Sequence, residues 1–193
     1  MFKKEKNKFF FVSKRARAAY LILCLEEALK FYDKENLEKW KWLLVELWKI
    51  TSTYDIDGWV ARICDASSET VISYSSYQER IEYNKRVGSW YTLDEKEFDS
   101  LHKLYSDDRP FFPTIYALYD KILNVIALDW GEPETAYSPL CLPEIEDAEK
   151  ILSEHSIPFP QNSSAISYIM QHKDKYYGPT FDGYKFSILS NNF

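Results

Sequence analysis

Carboxylates, three histidines and three cysteines are the residues of this chain with chemistry to offer, and their spacing decides how much of it is usable. His102, His155 and His172 fall on separate predicted helices, none four residues from another, so no helix presents the paired imidazoles that hold zinc. Cys141 and His155 can be written as a nucleophile and its base, but no local motif supports the pair. Cys24, Cys64 and Cys141 are odd in number, widely spaced and without C-x-x-C. They read as buried thiols in a reducing cytoplasm. Asp57 with Trp59, and Asp129 with Trp130, set a carboxylate beside an indole as a carbohydrate-active hydrolase does, yet both pairs stand where helix boundaries are expected. Phosphate-cradling, dinucleotide, zinc-protease and serine-hydrolase motifs are absent, and only 5 glycines are available to build such loops. The reading is therefore no catalytic residue, no cofactor and no metal.

Charge says more. The 193 residues carry a net −6, but residues 1–19 hold seven Lys/Arg against one Glu, so the rest is strongly acidic. Between Val87 and Glu154 fifteen acids face five bases. An acidic body repels nucleic acid and anionic membrane and attracts cationic partners. Lys3, Lys4, Lys6, Lys8, Lys14, Arg15 and Arg17, interleaved with Phe9 to Phe11, form the one feature suited to RNA, and residues 1–12 read as a flexible, solvated basic arm. The longest apolar run, Ala18 to Leu25, is too short to cross a bilayer and is followed at once by Glu26-Glu27. A cytoplasmic protein is expected.

The elements that must position these residues are helical. At 46% apolar and 28% charged the chain is globular, and scarce glycine disfavours a turn-rich β fold. Ser13 caps a helix to about Tyr32. Asn36 caps a second, with Leu37, Trp40, Leu43, Leu44 and Leu47 on one stripe. Asp57-Gly58 break the pattern before a short helix with Trp59, Val60 and Ile63, and residues 69–81 fit helix or strand. Thr92 to Glu95 reads as a capping box opening a helix with Phe98, Leu101 and Tyr105 inward. Pro113 suits the first turn of a helix burying Ile115, Leu118, Tyr119, Ile122, Val125 and Ile126, stopped by Gly131 and Pro133. Pro143 opens another, with Ile145, Ala148, Ile151 and Leu152 inward, and a last helix from about Ser164 to Lys173 buries Ile166, Ile169 and Met170. Asp182-Gly183 suggests a small C-terminal β-hairpin. The expectation is a mainly α, single helical domain over 13–193, built as a bundle or as short stacked helix pairs.

Aromatics at 17% exceed what such a core needs and favour a binding role. Asp94, Glu95, Glu97 and Asp99 crowd one helix start, with Asp107 and Asp108 at its other end. With Tyr91 and Tyr105, and Tyr116 and Tyr119 further on, they form an acidic, aromatic surface suited to a cationic protein partner.

Residues 43–126 carry a recognisable series: Leu47-Trp48, then Asp57 and Trp59, then Ser76-Tyr77-Gln78-Glu79, then Thr92 to Phe98, ending in Leu104-Tyr105. In order and spacing it resembles a family of small acidic immunity proteins encoded beside bacterial polymorphic (contact-dependent) toxins. That family has a Leu-Trp helix, an Asp-x-x-Trp-like turn, a Tyr-Glu-Glu-like segment and a Glu-rich helix ending in Leu-x-x-Leu-Tyr. Here Gly58 and Gln78 stand in place of acids and the turn is Asp-x-Trp. The resemblance implies a non-enzymatic inhibitor that binds and neutralises one cognate toxin domain; the acidic face suits a toxin with a basic cleft, as a nuclease has, and no nucleic acid or membrane is expected as partner. A helical adaptor or peptide-binding module is the alternative from composition, with the hydrolase behind it.

Overall fold

The computed structural model describes residues 7–107, 109–127 and 137–190. Among these the chain is mainly α-helical, and its one extended pairing is an isolated antiparallel bridge between Val12 and Lys173. Asp55–Phe112 form one compact unit; the described residues up to Tyr54 and from Pro113 onward form another. This division is finer than the one domain expected. It arises because the first helix, α1 (Lys14–Asp33), packs on the late helices α8 (Leu142–Glu154) and α9 (Ser163–Gln171), so the two ends of the chain close on each other.

In that larger unit α1 is buried nearly all round. Ser13 caps it, its hydroxyl accepting from the Ala16 amide, as the sequence implies. Ala16, Ala18, Leu21, Ile22, Leu25, Ala28 and Leu29 are buried, and so are Lys14, Arg15, Arg17 and Glu26. A helix so largely enclosed must satisfy its buried polar side chains internally. Arg17 donates to the carbonyls of Phe9, Phe10, Tyr137 and Ser138 at 2.7–3.2 Å and meets Cys141 Sγ at 2.7 Å. Arg15 donates to the Ile50 and Gly178 carbonyls, and Lys14 Nζ lies over the rings of Tyr176 and Tyr177.

These contacts correct the expectation of a loose basic arm. Residues 1–6 lie outside the described residues, but Phe9 and Val12 are buried and the Ser13 amide donates to the His172 carbonyl. The cations at 14, 15 and 17 brace the core instead of decorating a solvated leader.

Asn36 does not cap the second helix. The Asp33 carboxylate takes the Asn36 side-chain amide at 2.8 Å and the Trp40 indole N–H at 2.9 Å, and Lys34–Trp40 run as 3₁₀ turns broken by a kink at Asn36 (φ −120°, ψ 19°), so α2 (Lys41–Trp48) starts later. Helix α7 (Phe112–Ala127) carries Pro113 in its first turn and buries the six expected apolar residues. Its stop at Gly131 and Pro133, and the Asp129-Trp130 pair, lie outside the described residues. Helix α8 has Pro143 in its first turn and buries Ile145, Ala148 and Leu152, with Ile151 half-buried. Helix α9 buries Ala165 and Ile169, leaving Ile166 and Met170 half-buried.

No C-terminal hairpin forms among the described residues. Gly183 has an ordinary helical φ of −87°, and Tyr184–Phe186 make a 3₁₀ turn. In place of a hairpin partner the chain finds the turn that follows α2: the Phe181 amide donates to Thr51 O at 2.7 Å and the Gly183 amide to Thr51 Oγ1 at 3.1 Å. Gly183 is needed for closeness, since a Cβ there would stand 2.7 Å from Thr51 Cγ2.

The smaller unit comprises α3 (Ile56–Asp65), α4 (Ser68–Ile72), α5 (Tyr77–Val87) and α6 (Glu95–Tyr105). Asp57-Gly58 do not break a helix; they lie in the first turn of α3. Asp55 caps it from the Gly58 amide at 2.9 Å, and a Cβ at residue 58 would fall 2.2 Å from the Asp55 carboxylate. Residues 69–81 resolve as parts of two helices, α4 and α5, separated by a turn over 73–76, with Ser67 and Ser76 as their caps. Trp59, Val60, Ile63, Val71, Leu93, Phe98, Leu101 and Leu104 are buried in this unit.

Candidate protein-binding face

The acidic belt is built on α6 and the loop before it. The helix opens two residues later than Thr92. Asp94 is the cap: its carboxylate accepts from the Glu97 amide at 2.9 Å, and Glu97 reaches back to the Asp94 amide at 3.0 Å, completing the capping box. Thr92 is unavailable because Asp65 holds it. Asp65 Oδ2 accepts from both the Thr92 amide and its hydroxyl at 2.8 Å, and Oδ1 pairs with Arg80 at 3.3 Å. The other Glu97 oxygen pairs with Arg62, which also donates to the Thr92 carbonyl. The start of α6 is thus pinned to α3 and α5 by carboxylates that look, in the sequence, free for a partner.

The eight residues assigned to the face therefore separate. Asp94 and Glu97 hold the helix. Asp107 pairs with Arg109, and Asp108 lies outside the described residues. Tyr105 is buried and its hydroxyl donates to the Ala66 carbonyl at 2.9 Å, so it is a core residue and no surface anchor. Tyr91 is half-buried, with the Arg80 guanidinium 4.7 Å from its ring centroid. Burial first, then the Asp65 charge, drives its phenol well above the ordinary range. Glu95 and Asp99 remain: exposed, four residues apart on one side of α6, and without an ion pair among the described residues. Tyr116 and Tyr119 belong to the larger unit, and Tyr119 is buried.

One aromatic outside the expected set is the most exposed large apolar side chain among the described residues. Trp90 is 92% accessible. It follows Gly88, whose left-handed φ of +69° ends α5 with its amide donating to Asn84 O, and it precedes the α6 cap. The signal was present in the sequence as Gly-Ser-Trp between two helical patterns, a tryptophan with no apolar stripe to join. Val87, Ile72 and Tyr83 of the same unit are also exposed.

Among the described residues Cys141 and His155 have separate partners. Cys141 is engaged by Arg17 and Ser138, whereas His155 meets Tyr32 and Thr114. Cys64 is exposed, contrary to the expectation of three buried thiols, because its position on the short α3 faces outward. Among the described residues no group of three or more His, Cys, Asp or Glu is arranged to hold a metal ion, and no helix is long and apolar enough to cross a membrane. Neither a protein-family model, nor a curated protein, nor a solved structure matches the chain.

Proposed function

We propose that this chain is an immunity protein: a non-enzymatic, cytoplasmic inhibitor that binds one cognate bacterial toxin domain and blocks it. The observation that carries the reading is Trp90. A fully exposed indole contributes nothing to its own fold and is the side chain best suited to anchor a partner, because it buries a large area at little entropic loss. It stands next to the helix that presents Glu95 and Asp99 unpaired. Such a face fits a cationic cleft, with the indole filling a pocket and the carboxylates taking the place of phosphate groups. The resemblance over residues 43–126 supports the same reading.

The test is to titrate the purified chain against the toxin domain encoded beside it. A nanomolar complex and restored growth of toxin-expressing cells are expected. Trp90→Ala is expected to weaken the complex about 30- to 1000-fold, mainly by faster dissociation. Glu95→Lys with Asp99→Lys is expected to slow association and flatten its salt dependence. A toxin domain that neither binds nor loses activity rejects the function. Normal binding by Trp90→Ala rejects the face.

A further inference from the structure

Glu26 is a charge-bearing side chain that the binding face does not use. It lies in the middle of α1, fully buried, and its carboxyl ties three parts of the larger unit together. Oε1 accepts from the Trp48 indole N–H of α2 at 2.8 Å and from the Ser187 hydroxyl at 2.6 Å; Oε2 accepts from the Ile188 amide at 3.1 Å. All three donors are neutral, and its partners among the described residues include no cation. The nearest charges do not help. Glu27 on its own helix adds like charge, Tyr184 faces it from the C-terminal segment, and Glu38 of the 3₁₀ segment acts on Tyr184 in turn. Lys49 is taken by Glu46, and Lys185 turns to the rings of Tyr168 and Phe186.

Ionised, this carboxylate gives up water for three neutral hydrogen bonds. Protonated, it avoids that loss and can donate to Ser187 Oγ while still accepting from the other two. We propose that residues 184–190 form a pH-dependent strap, latched to α1 by the protonated Glu26 carboxyl and loosened when that carboxyl ionises, so that Trp48 at the end of α2, which shares the carboxyl, is uncovered. The segment's other ties are the Phe186 ring and the Lys185 ammonium against Tyr168 of α9, the buried Leu189 side chain, and, just before it, the Phe181 and Gly183 bonds to Thr51.

Burial pushes Glu26 from 4.5 up to about 7, with the bonds from Ser187, Trp48 and Ile188 pulling the other way. The latched state therefore holds the proton more tightly than the open one. The stabilisation is complete below about pH 4.5, falls tenfold per unit as pH rises, and is spent above about 7. Between pH 5 and pH 8 the opening equilibrium grows roughly 70-fold by this linkage.

The experiment follows amide hydrogen exchange of Ile188 and Ser187 in the full chain at pH 5 and pH 8, corrected for intrinsic rates, with Ile122 of α7 as internal reference. A fall in protection of roughly 70-fold is expected for the strap alone, and Glu26→Gln, which is neutral throughout but turns an N–H₂ towards the Trp48 or Ile188 donor, is expected to protect the strap less than the parent at pH 5 and to the same extent at pH 5 and pH 8. A parent chain with no pH-dependent fall, or the same fall in Glu26→Gln, overturns the proposal. The carboxyl carbon shift of Glu26 in the parent gives a second readout if the variant fails to fold. A midpoint near 4.5 overturns the latch; one near 7 supports it.

Discussion

Replacing Arg17 by Met tests whether the basic start of the chain is a leader or a brace. Met nearly fills the same length with an apolar stem but donates nothing. Four carbonyls lose a donor, those of Phe9, Phe10, Tyr137 and Ser138. The Phe10 and Tyr137 bonds are only partly buried, so water can replace the guanidinium there. The Phe9 and Ser138 bonds are fully buried; each carbonyl keeps a second donor, the Val12 amide and the Cys141 thiol, so what is lost is the bond from the charged guanidinium, worth about 1.5–3 kcal/mol. Two of them give a loss of about 3–6 kcal/mol, reduced because the desolvated charge is gone as well. That is a large share of the roughly 5–15 kcal/mol that holds a typical domain. Urea unfolding followed by near-ultraviolet dichroism measures it, with Arg17→Lys as companion: a lysine keeps the charge but can serve at most three of the four carbonyls. The order expected is parent, Lys, then Met. A Met variant within about 0.5 kcal/mol of the parent would refute the reasoning, since a solvated arginine is lost at about that level.

Two further substitutions probe other joints. Asp65→Asn leaves one oxygen to serve Thr92 and Arg80 and turns an N–H₂ towards donors; a loss of about 2–3 kcal/mol in the smaller unit is expected, read by its urea midpoint. The same change removes the second cause of the raised Tyr91 phenol, so tyrosinate absorbance should appear at lower pH, while burial keeps it above the ordinary value. Gly183→Ala places a methyl against Thr51 and Trp48 and is expected to cost about 1–3 kcal/mol through overpacking; Gly88→Ala, with open space but a left-handed backbone, is expected to cost about 1 kcal/mol. Equal losses at the two positions would contradict the close approach inferred at Gly183.

What was legible in the sequence was whatever depends on near neighbours. The Ser13 cap, the α7 stripe from Ile115 to Ile126 and the Pro143 start are local patterns, and each forms as read. What was not legible depended on partners distant in sequence. Thr92 makes a good cap on paper, but Asp65, 27 residues away, takes both its donors and hands the cap to Asp94. Asp182-Gly183 suits a hairpin until Thr51, 132 residues from Gly183, supplies a better acceptor. Arg17 looked solvated because charge runs usually are; its acceptors at 137 and 138 are invisible to any short window.

The same logic narrows the binding face. Six acids around α6 gave the impression of a broad negative surface, yet a carboxylate that caps a helix or pairs with an arginine has already spent its field locally. Asp94, Glu97 and Asp107 are spent in this way. Reversing Asp94 or Glu97 would therefore be a poor test of docking: it removes a capping box, worth about 1 kcal/mol, and lowers affinity and stability together. Glu95 and Asp99 make no such bond, and Trp90 is 92% accessible, so changes at these three can alter recognition at little cost to the smaller unit, the largest being about 0.3–1 kcal/mol for taking the Glu95 charge from the first turn of α6. A partner that feels all three must approach along the side of α6 shared by Glu95 and Asp99, with the indole reached from the loop that precedes it.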